Sequence, residues 1–402
     1  MFMHAVKVAD PMESLAAYLP PRPPGRVVVV GAGKASARMA EAAEAAWGPC
    51  EGLVITRYGY ERPTRGIEIA SAAHPVPDAA GVAATQRMLG LLGTLAEGDF
   101  ALALISGGAS ALLVAPAGDV TLTEKQGVNR ALLESGAPIG QMNILRKHLS
   151  RVKGGQLAAA AYPARLLALC LSDVPGDDPA LIGSGPTVGD GSTAADAREI
   201  LSRWGIDAPD SVQAVLNAPT GVLAPGDPRL SRADTLVYAA PLRSLAAAAD
   251  LARAQGYAVE ILGDAIEGEA RDVARDHAAL ALASKGPRVI LSGGELTVTR
   301  RGGGVGGGVG GPNAEYALAL ALALGGAAGI HAIACDTDGV DGAAEVAGAL
   351  IGPATLAGCR AEADHALATN DAHSFFASVG AQVITGPTMT NVNDFRAILI
   401  EA

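Results

Sequence analysis

The sequence has few aromatic side chains, which make up 3% of its 402 residues although half of all residues are hydrophobic. Glycine alone contributes 51 residues. A core of this composition is filled by small aliphatic side chains and close backbone contacts, which favours layers of helices on a sheet. The length exceeds one ordinary hydrophobic core and predicts about two domains.

Positive charge is also scarce. Thirty lysines and arginines stand against 41 aspartates and glutamates, and the formal net charge is −11. This balance excludes the broad basic surface with which proteins bind nucleic acids. An anionic ligand therefore needs a local cluster of cations rather than the field of the whole protein.

Cysteines and long apolar runs are few. The four cysteines form no Cys-x-x-Cys pair, so we expect reduced thiols and a cytoplasmic location. The run YALALALALGGAAG is interrupted by glycine and is too short to span a bilayer. The first residues lack an apolar core followed by a small-residue cleavage site. We expect neither a membrane partner nor a secretion signal.

Strand-like apolar runs alternate with alanine-rich helical stretches along most of the chain, which indicates a layered α/β fold with a parallel sheet. The stretch NAPTGVLAPGDPRL, residues 217–230, is rich in proline and glycine. We place a domain boundary there and predict an N-terminal domain of residues 1–225 and a C-terminal domain of residues 226–402.

The stretch VVVVGAGKAS, which begins at Val27, is typical of a strand, a glycine turn and a helix start. Gly31 and Gly33 match the dinucleotide-binding pattern, but Ser36 occupies the third glycine position and no acid follows the second strand. Lys34 stands just after the turn. We interpret it as a cation for a phosphate or carboxylate, the alternative being a solvated lysine.

Two further turns combine serine with paired glycines after apolar runs, and such strand ends bind ligands in open α/β sheets. Their similarity suggests two glycine-rich walls around one ligand, although each is also compatible with a simple tight turn. The residues are Ser106, Gly107, Gly108 and Ser110 in the first turn and Gly293, Gly294 and Glu295 in the second.

Carboxylates collect after other strand-like runs. Asp173 and Asp177 lie in LSDVPGDDP, and Asp338 lies in ACDTDGVDG. The latter segment is no EF-hand, because position twelve counted from Asp336 is Ala347 rather than glutamate. Such acids hold Mg²⁺ with bound phosphate, accept a proton, or are solvated turn residues.

Other polar stretches carry candidate binding residues. His74 lies in SAAHPVPD, and Asn391 and Asp394 lie in GPTMTNVNDF. The cationic stretch NILRKHLSRVKGGQL contains Lys147 and Arg151, together with Arg146 and Lys153, within a predicted helix over 141–160. This helix presents either an anion-binding wall or a solvated basic face.

Eight motifs taken together resemble the glycerate 2-kinase family, whose C-terminal region is named MOFRL and whose members carry the older name hydroxypyruvate reductase. The resemblance runs in the same order over nearly the whole chain. The motifs are VGAGKAS, HPVPD, LISGGASALL, KHLSRVKGGQLA, LSDVPGDDPALIGSGPT, GGPNAEYALALAL, DTDGVDG and GPTMTNVNDF.

The resemblance implies ATP- and Mg²⁺-dependent phosphorylation of D-glycerate at its 2-hydroxyl, giving 2-phosphoglycerate and ADP. It implies a Rossmann-like N-terminal domain with a parallel sheet and a smaller α/β C-terminal domain, with the active site in the cleft between them. Carried over by motif, Lys34, Asp173 and Asp177 are the catalytic residues, and the two aspartates are the metal ligands.

The sequence patterns and the resemblance together predict a wider set of substrate- or nucleotide-binding residues. They are Gly31, Gly33, Ser36, His74, Ser106, Gly107, Gly108, Ser110, Lys147, Arg151, Gly293, Gly294, Glu295, Asn313, Glu315, Asp338, Asn391 and Asp394.

The chain departs from the family at one motif. Many relatives have two arginines where this chain has Val309 and Pro312. Arg300 or Arg301 is one substitute for the missing charge, and Lys147 or Arg151 is another.

Two rival functions stay open at this point. One is an NAD(P)H-dependent hydroxypyruvate reductase that uses the opening turn as a cofactor loop. The other is a catalytically idle sensor of sugar acids or nucleotides. The oligomeric state is also open, and a homodimer is compatible with the sequence.

Overall fold

The computed structural model describes residues 1–299, 309–342 and 344–401, and these divide into two compact units. The N-terminal unit is Ser14–Tyr238, and the C-terminal unit joins Met1–Glu13 to Ala239–Ala402. In sequence the units meet after Tyr238, and the strand that begins at Ala233 belongs to the N-terminal sheet. The domain boundaries given above stay a proposal.

The strands of the described residues are, in chain order, β1 Val27–Ala32, β2 Glu51–Arg57, β3 Ile67–Ala72, β4 Phe100–Ile105, β5 Arg165–Leu171, β6 Ala233–Ala239, β7 Ala258–Ile261, β8 Gly268–Glu269, β9 Arg288–Gly294, β10 Leu296–Thr297, β11 Ile330–Asp336, β12 Gly348–Ile351, β13 Gln382–Val383 and β14 Asp394–Ile400.

The α-helices are α1 Phe2–Ala9, α2 Pro11–Ser14, α3 Ser36–Trp47, α4 Ala79–Leu92, α5 Ala109–Leu112, α6 Leu122–Ser135, α7 Ile139–His148, α8 Gln156–Ala161, α9 Ala194–Arg203, α10 Asp210–Leu216, α11 Pro241–Ala254, α12 Ala270–Ala283, α13 Pro312–Leu324, α14 Arg360–Ala368 and α15 Ala372–Ser378. None of the described helices is both long and apolar enough to cross a membrane.

The N-terminal unit is built on a sheet with the strand order β3-β2-β1-β4-β5-β6, in which β1 to β5 run parallel. The central strands β1 and β4 are buried along their whole length, as expected for parallel strands covered on both faces. Ala32 pairs with Ile105, so β1 and β4 end at the same level. The predicted Rossmann-like α/β class is confirmed, and the loops after these strands share one edge of the sheet.

The C-terminal unit has a mixed sheet with the order β13-β12-β11-β14-β9-β7. Alternate residues of β9 enter two apolar clusters: Ile290 packs with α12 and α13, whereas Val289 and Leu291 pack with α1 and α11. Helices therefore cover both faces of this sheet, and the first helix of the chain completes one of the two layers.

The helix predicted over 141–160 is wrong. Helix α7 ends at His148, and α8 begins only at Gln156. Gly154 and Gly155 adopt left-handed conformations with φ of 58° and 80°, and their amides donate to the carbonyls of Ser184 and Gly185. The glycine pair thus ends the helical path and ties this segment to residues 184–185.

Helix α1 gives a test of the unit assignment. Phe2 is 4% exposed, and its ring centroid lies 5.8 Å from that of Phe395 on β14. We expect Phe2→Ala to lower the free energy of unfolding by about 3 kcal/mol, because the substitution leaves a cavity under α1. Urea denaturation measures the change. The matched control is Met3→Ala on the same helix, where the side chain is 58% exposed and the expected change is within about 0.5 kcal/mol. Equal effects of the two substitutions would contradict the packing of α1 on this sheet.

Candidate active site

The loop after β1 is bound to the loop after β4. The Lys34 amide donates to the Gly107 carbonyl at 2.8 Å, and the Ala35 amide donates to Ser106 Oγ at 3.0 Å. A Cβ atom on Gly33 would lie 2.0 Å from Ser106 Oγ, so only glycine fits there. The glycine turn therefore allows the loop after β1 to pack closely against the loop after β4.

The amides of Lys34 and Ala35, which lie just before α3, are engaged in this junction. Phosphate groups bind helix N-termini through such amides. Here both amides donate to protein oxygens. The Ser36 amide donates to the Gly33 carbonyl at 3.3 Å, and the Ser36 hydroxyl donates to the Leu104 carbonyl at 2.9 Å. The amides of residues 34–36 therefore already have protein acceptors, which disfavours a dinucleotide pyrophosphate on this turn.

The turn after β4 brings other predicted residues together. Gly108 has φ of 82°, and a Cβ atom on it would lie 3.0 Å from His74 Nε2 and 3.3 Å from Lys34 Cγ. Both side chains therefore pass close to this turn. The hydroxyls of Ser110 and Ser184 lie 2.9 Å apart beyond it.

A pocket of about 190 Å³ opens beside this turn, and we call it the cationic pocket. Its cations are Lys125, Arg146 and Lys153, and no carboxylate lines it. The complete lining is His74, Pro75, Pro77, Gly108, Ser110, Ala111, Lys125, Asn129, Arg146 and Lys153. The described part of this acidic protein thus contains a strongly positive cavity.

The two lysines of the cationic pocket are almost fully buried. Lys125 Nζ donates to the Leu149 carbonyl at 3.0 Å, and Lys153 Nζ donates to the Gly183 carbonyl at 3.3 Å. Burial, aided by neighbouring cations, lowers the pKa of Lys125 to about 8 and the pKa of Lys153 well below its ordinary value. Burial also lowers the pKa of Arg146. No described acid pairs with either lysine. A bound anion would therefore relieve the repulsion between these buried cations.

Lys147 and Arg151 do not line the cationic pocket. Lys147 is 3% exposed and forms an ion pair with Asp190. Burial alone would raise the pKa of Asp190, but hydrogen bonds from Lys147 and Ser192 hold it below its usual range. Arg151 donates to the Pro116 carbonyl at 3.2 Å and lines a separate cavity of about 390 Å³.

Asp173 and Asp177 follow β5, whose carboxyl end lies next to that of β4. Both are partly exposed. Asp177 has φ of 55°, and its amide donates to the Val174 carbonyl at 3.1 Å, which closes a tight turn. Within residues 1–299, 309–342 and 344–401, no three His, Cys, Asp or Glu side chains gather as a metal site.

The C-terminal unit contains a buried polar network at the start of α13. The Asp341 carboxylate accepts the amides of Asn313 and Ala314 at 3.0 and 2.8 Å. The Asn313 side-chain amide donates to Asp394 at 2.6 Å. A protein carboxylate therefore occupies the positive end of this helix.

Arg396 connects this network to the second glycine turn. Its guanidinium donates to Asp394 Oδ2 at 3.0 Å and to the carbonyls of Gly293 and Gly294 at 3.3 and 2.9 Å. Burial raises the pKa of Asp394, against the lowering effect of Arg396 and Asn313. The predicted residues Gly293, Gly294, Asn313 and Asp394 are thus brought together.

Other predicted residues of this unit lie in different surroundings. Glu315 is fully buried and accepts hydrogen bonds from Arg271 and Asn370. Asp338 Oδ1 accepts the Val340 amide at 2.8 Å. Glu295 is exposed, and the Asn391 side chain accepts the Asn393 amide at 3.4 Å. Arg300 and Arg301 lie outside the described residues.

The sequence analysis did not single out Lys125. It named Arg146 and Lys153 only as members of a cationic stretch and did not assign them to a binding site. The signal for Lys125 is its position on α6, where Val128 and Leu132 follow it at i+3 and i+7 and are buried. A lysine in line with the apolar face of a helix is a candidate buried cation. The break at Gly154–Gly155 places Lys153 in the pocket, and the sequence alone did not show this break.

Comparison with known proteins gives a consistent result. A family model described as "Domain of unknown function (DUF4147)" matches residues 1–217, and the MOFRL family model matches residues 288–394. A protein of Agrobacterium vitis that carries the provisional name hydroxypyruvate reductase is 50% identical, over 100% of this chain and 93% of its own length.

Kinases are among the other relatives. The D-glycerate 2-kinase of Thermotoga maritima is 37% identical, over 98% of this chain and 96% of its own. A crystal structure of glycerate kinase from Thermotoga maritima superposes with a TM-score of 0.90 and 36% identity, covering 99% of this chain and 97% of that chain.

The buried lysine of α6 gives a test of the cationic pocket. We expect Lys125→Met to raise the free energy of unfolding at pH 7 by about 1–2 kcal/mol, because it removes a buried charge from a cluster of like charges. The gain should shrink between pH 8 and 10. In that range the unfolded chain, with a lysine pKa near 10.5, binds more protons than the folded chain, so the wild type gains stability as pH rises.

Urea denaturation across this pH range makes the measurement. Arg130→Met, which removes an exposed cation from the same helix, is the control and should leave stability within about 0.5 kcal/mol of wild type at each pH. A Lys125→Met variant that is less stable than wild type at pH 7 would contradict the claim that repulsion among the pocket cations destabilises the folded protein.

Proposed function

The chain belongs to the glycerate kinase family with a C-terminal MOFRL region, and we propose that it transfers the γ-phosphoryl group of ATP to the 2-hydroxyl of D-glycerate, giving 2-phosphoglycerate and ADP. The observation that carries the proposal is the cationic pocket beside Lys34 and the Ser106–Gly107–Gly108 turn.

The chemistry explains why this fold would concentrate positive charge. Phosphoryl transfer depends mainly on the positioning of the reactants and on neutralisation of their charge. Glycerate carries a carboxylate, ATP carries a polyphosphate, and the protein is acidic overall. Lys125, Arg146 and Lys153 supply the local cations that such reactants require.

In this proposal Lys34 stabilises the transferring phosphoryl group. Its amide is fixed by the bond to Gly107, and its side chain passes the Gly108 turn near His74. A backbone held in this way positions the ammonium group before the reactants bind, which is the arrangement that lowers the barrier to transfer.

Of Asp173 and Asp177, one is the proposed ligand of Mg²⁺ and the other is the proposed general base. Both carboxylates follow β5 and are partly exposed, which fits an ion held by one or two carboxylates together with substrate phosphates and water. When bound, Mg²⁺ neutralises charge on the transferring phosphates. The carboxylate that does not bind the metal accepts the proton of the 2-hydroxyl group.

The rival hydroxypyruvate reductase is not favoured. Such an enzyme would hold its nicotinamide dinucleotide by the amides after the first strand. Those of Lys34 and Ala35 donate to Gly107 and Ser106 instead.

An assay of ADP release with D-glycerate, ATP and Mg²⁺ tests the proposed function, with the phosphate position of the product read by ³¹P NMR. We expect glycerate-dependent ADP release and a phosphate on the 2-oxygen. Oxidation of NADH or NADPH by hydroxypyruvate, without ADP release from glycerate, would replace the kinase with the reductase. Tight ligand binding without turnover would support the sensor.

The same assay tests the role of Lys34. We expect Lys34→Met to lower kcat about 10²–10³-fold, because the lost ammonium group stabilises charge in the transition state. Lys34→Arg should recover part of the activity. Arg87→Met, which breaks an exposed ion pair with Glu68, is the control and should retain wild-type kcat. Full activity of Lys34→Met would remove Lys34 from the mechanism.

A further inference from the structure

We propose that the cationic pocket is a binding site for a phosphate dianion and that the protein takes up protons at Lys125 and Lys153 when this site fills. The inference rests on the proposed function only for the molecule that carries the phosphate. The site itself follows from the charges, donors and size of the pocket.

The charges around the pocket call for more than one negative charge. Lys125 comes from α6, Arg146 from α7 and Lys153 from the segment before α8. His74 faces the same space. Lys147 adds to the positive potential at Lys153, but the charge of Lys147 is paired with that of Asp190. Against three cations without a lining acid, a dianion compensates the charge better than a carboxylate does.

The donors and the size of the pocket agree with a phosphate. Ser110 and Asn129 add neutral hydrogen-bonding groups to the three cations. A volume of about 190 Å³ lies below the ~300–1,000 Å³ of pockets that enclose drug-sized ligands. The space suits a phosphate on a short carbon chain or the terminal phosphate of a longer molecule, and not a whole nucleotide.

Proton uptake follows from the burial of the lysines. Without an anion, each ammonium group has one carbonyl partner and like-charged neighbours. These surroundings lower the pKa of Lys125 to about 8, so about half of Lys125 is neutral at pH 8. A bound dianion favours the ammonium form and raises the pKa. Binding at pH 8 should therefore draw in protons, and binding at pH 6 should draw in fewer.

Isothermal titration calorimetry with sulfate tests this on the whole wild-type protein. Sulfate keeps two negative charges from pH 6 to 8, so any proton taken up is bound by the protein. Titrations at pH 8 in Tris and in HEPES should give different apparent enthalpies, and the difference should shrink at pH 6 in MES and in histidine buffer. Methanesulfonate, which has the same head with one charge fewer, should bind at least tenfold more weakly.

Variants locate the protons. Lys125→Met and Lys153→Met should each weaken sulfate binding about tenfold or more and reduce the proton uptake. Arg130→Met on the exposed face of α6 should leave both unchanged. Equal enthalpies in both buffers at pH 8, or equal affinities for sulfate and methanesulfonate, would overturn the proposal for the wild-type protein whatever the variants do.

Competition identifies the carrier of the phosphate. Displacement of sulfate by 2-phosphoglycerate but not by ADP would assign the pocket to the phosphorylated acid, and the reverse would assign it to the nucleotide. The two proposals fail separately. Sulfate binding with proton uptake, without glycerate-dependent ADP release, would keep the dianion site and reject the kinase. Glycerate-dependent ADP release without proton uptake on sulfate binding would keep the kinase and reject the proposed dianion site.

Discussion

The hydrogen bonds that join the end of β1 to the end of β4 are the constraint on which the candidate site depends. The Lys34 amide on the Gly107 carbonyl and the Ala35 amide on Ser106 Oγ fix two neighbouring loops in one position. The parallel register makes this possible, because Ala32 and Ile105 pair at the last position of the two strands. The Lys34 side chain and the Gly108 turn then have a defined relation that neither loop would hold alone.

The two units differ in how their buried cations are neutralised. In the C-terminal unit Arg396 is 1% exposed, but it donates to Asp394 and to two backbone carbonyls. In the N-terminal unit Lys125 and Lys153 are buried with one carbonyl each. Unpaired buried charge is destabilising, and it is found where a ligand supplies the missing partner. The contrast supports the proposal that the second cluster, rather than the first, receives its missing partner from a ligand.

Sequence patterns predicted the layers of the fold because buried parallel strands are continuous apolar runs, as β4 is along its whole length. They did not predict the break between α7 and α8, since the amides of Gly154 and Gly155 find their partners at Ser184 and Gly185, far along the chain. Part of the site was missed for the same reason. Lys125 and Lys153 meet only after that break, and a composition with 41 acids conceals a local cluster of cations.

The motif in which Val309 and Pro312 replace two arginines of the resembled family leads into α13. Pro312 is the first residue of α13, and a Cβ atom on Gly311 would lie 2.3 Å from the Asp341 carboxyl carbon. The carboxylate itself accepts the first amides of the helix. Because Asp341 already neutralises the positive end of α13, this helix start offers little attraction to a phosphate. The proposed function accordingly assigns the charge that holds an anionic substrate to Lys34 and the cationic pocket.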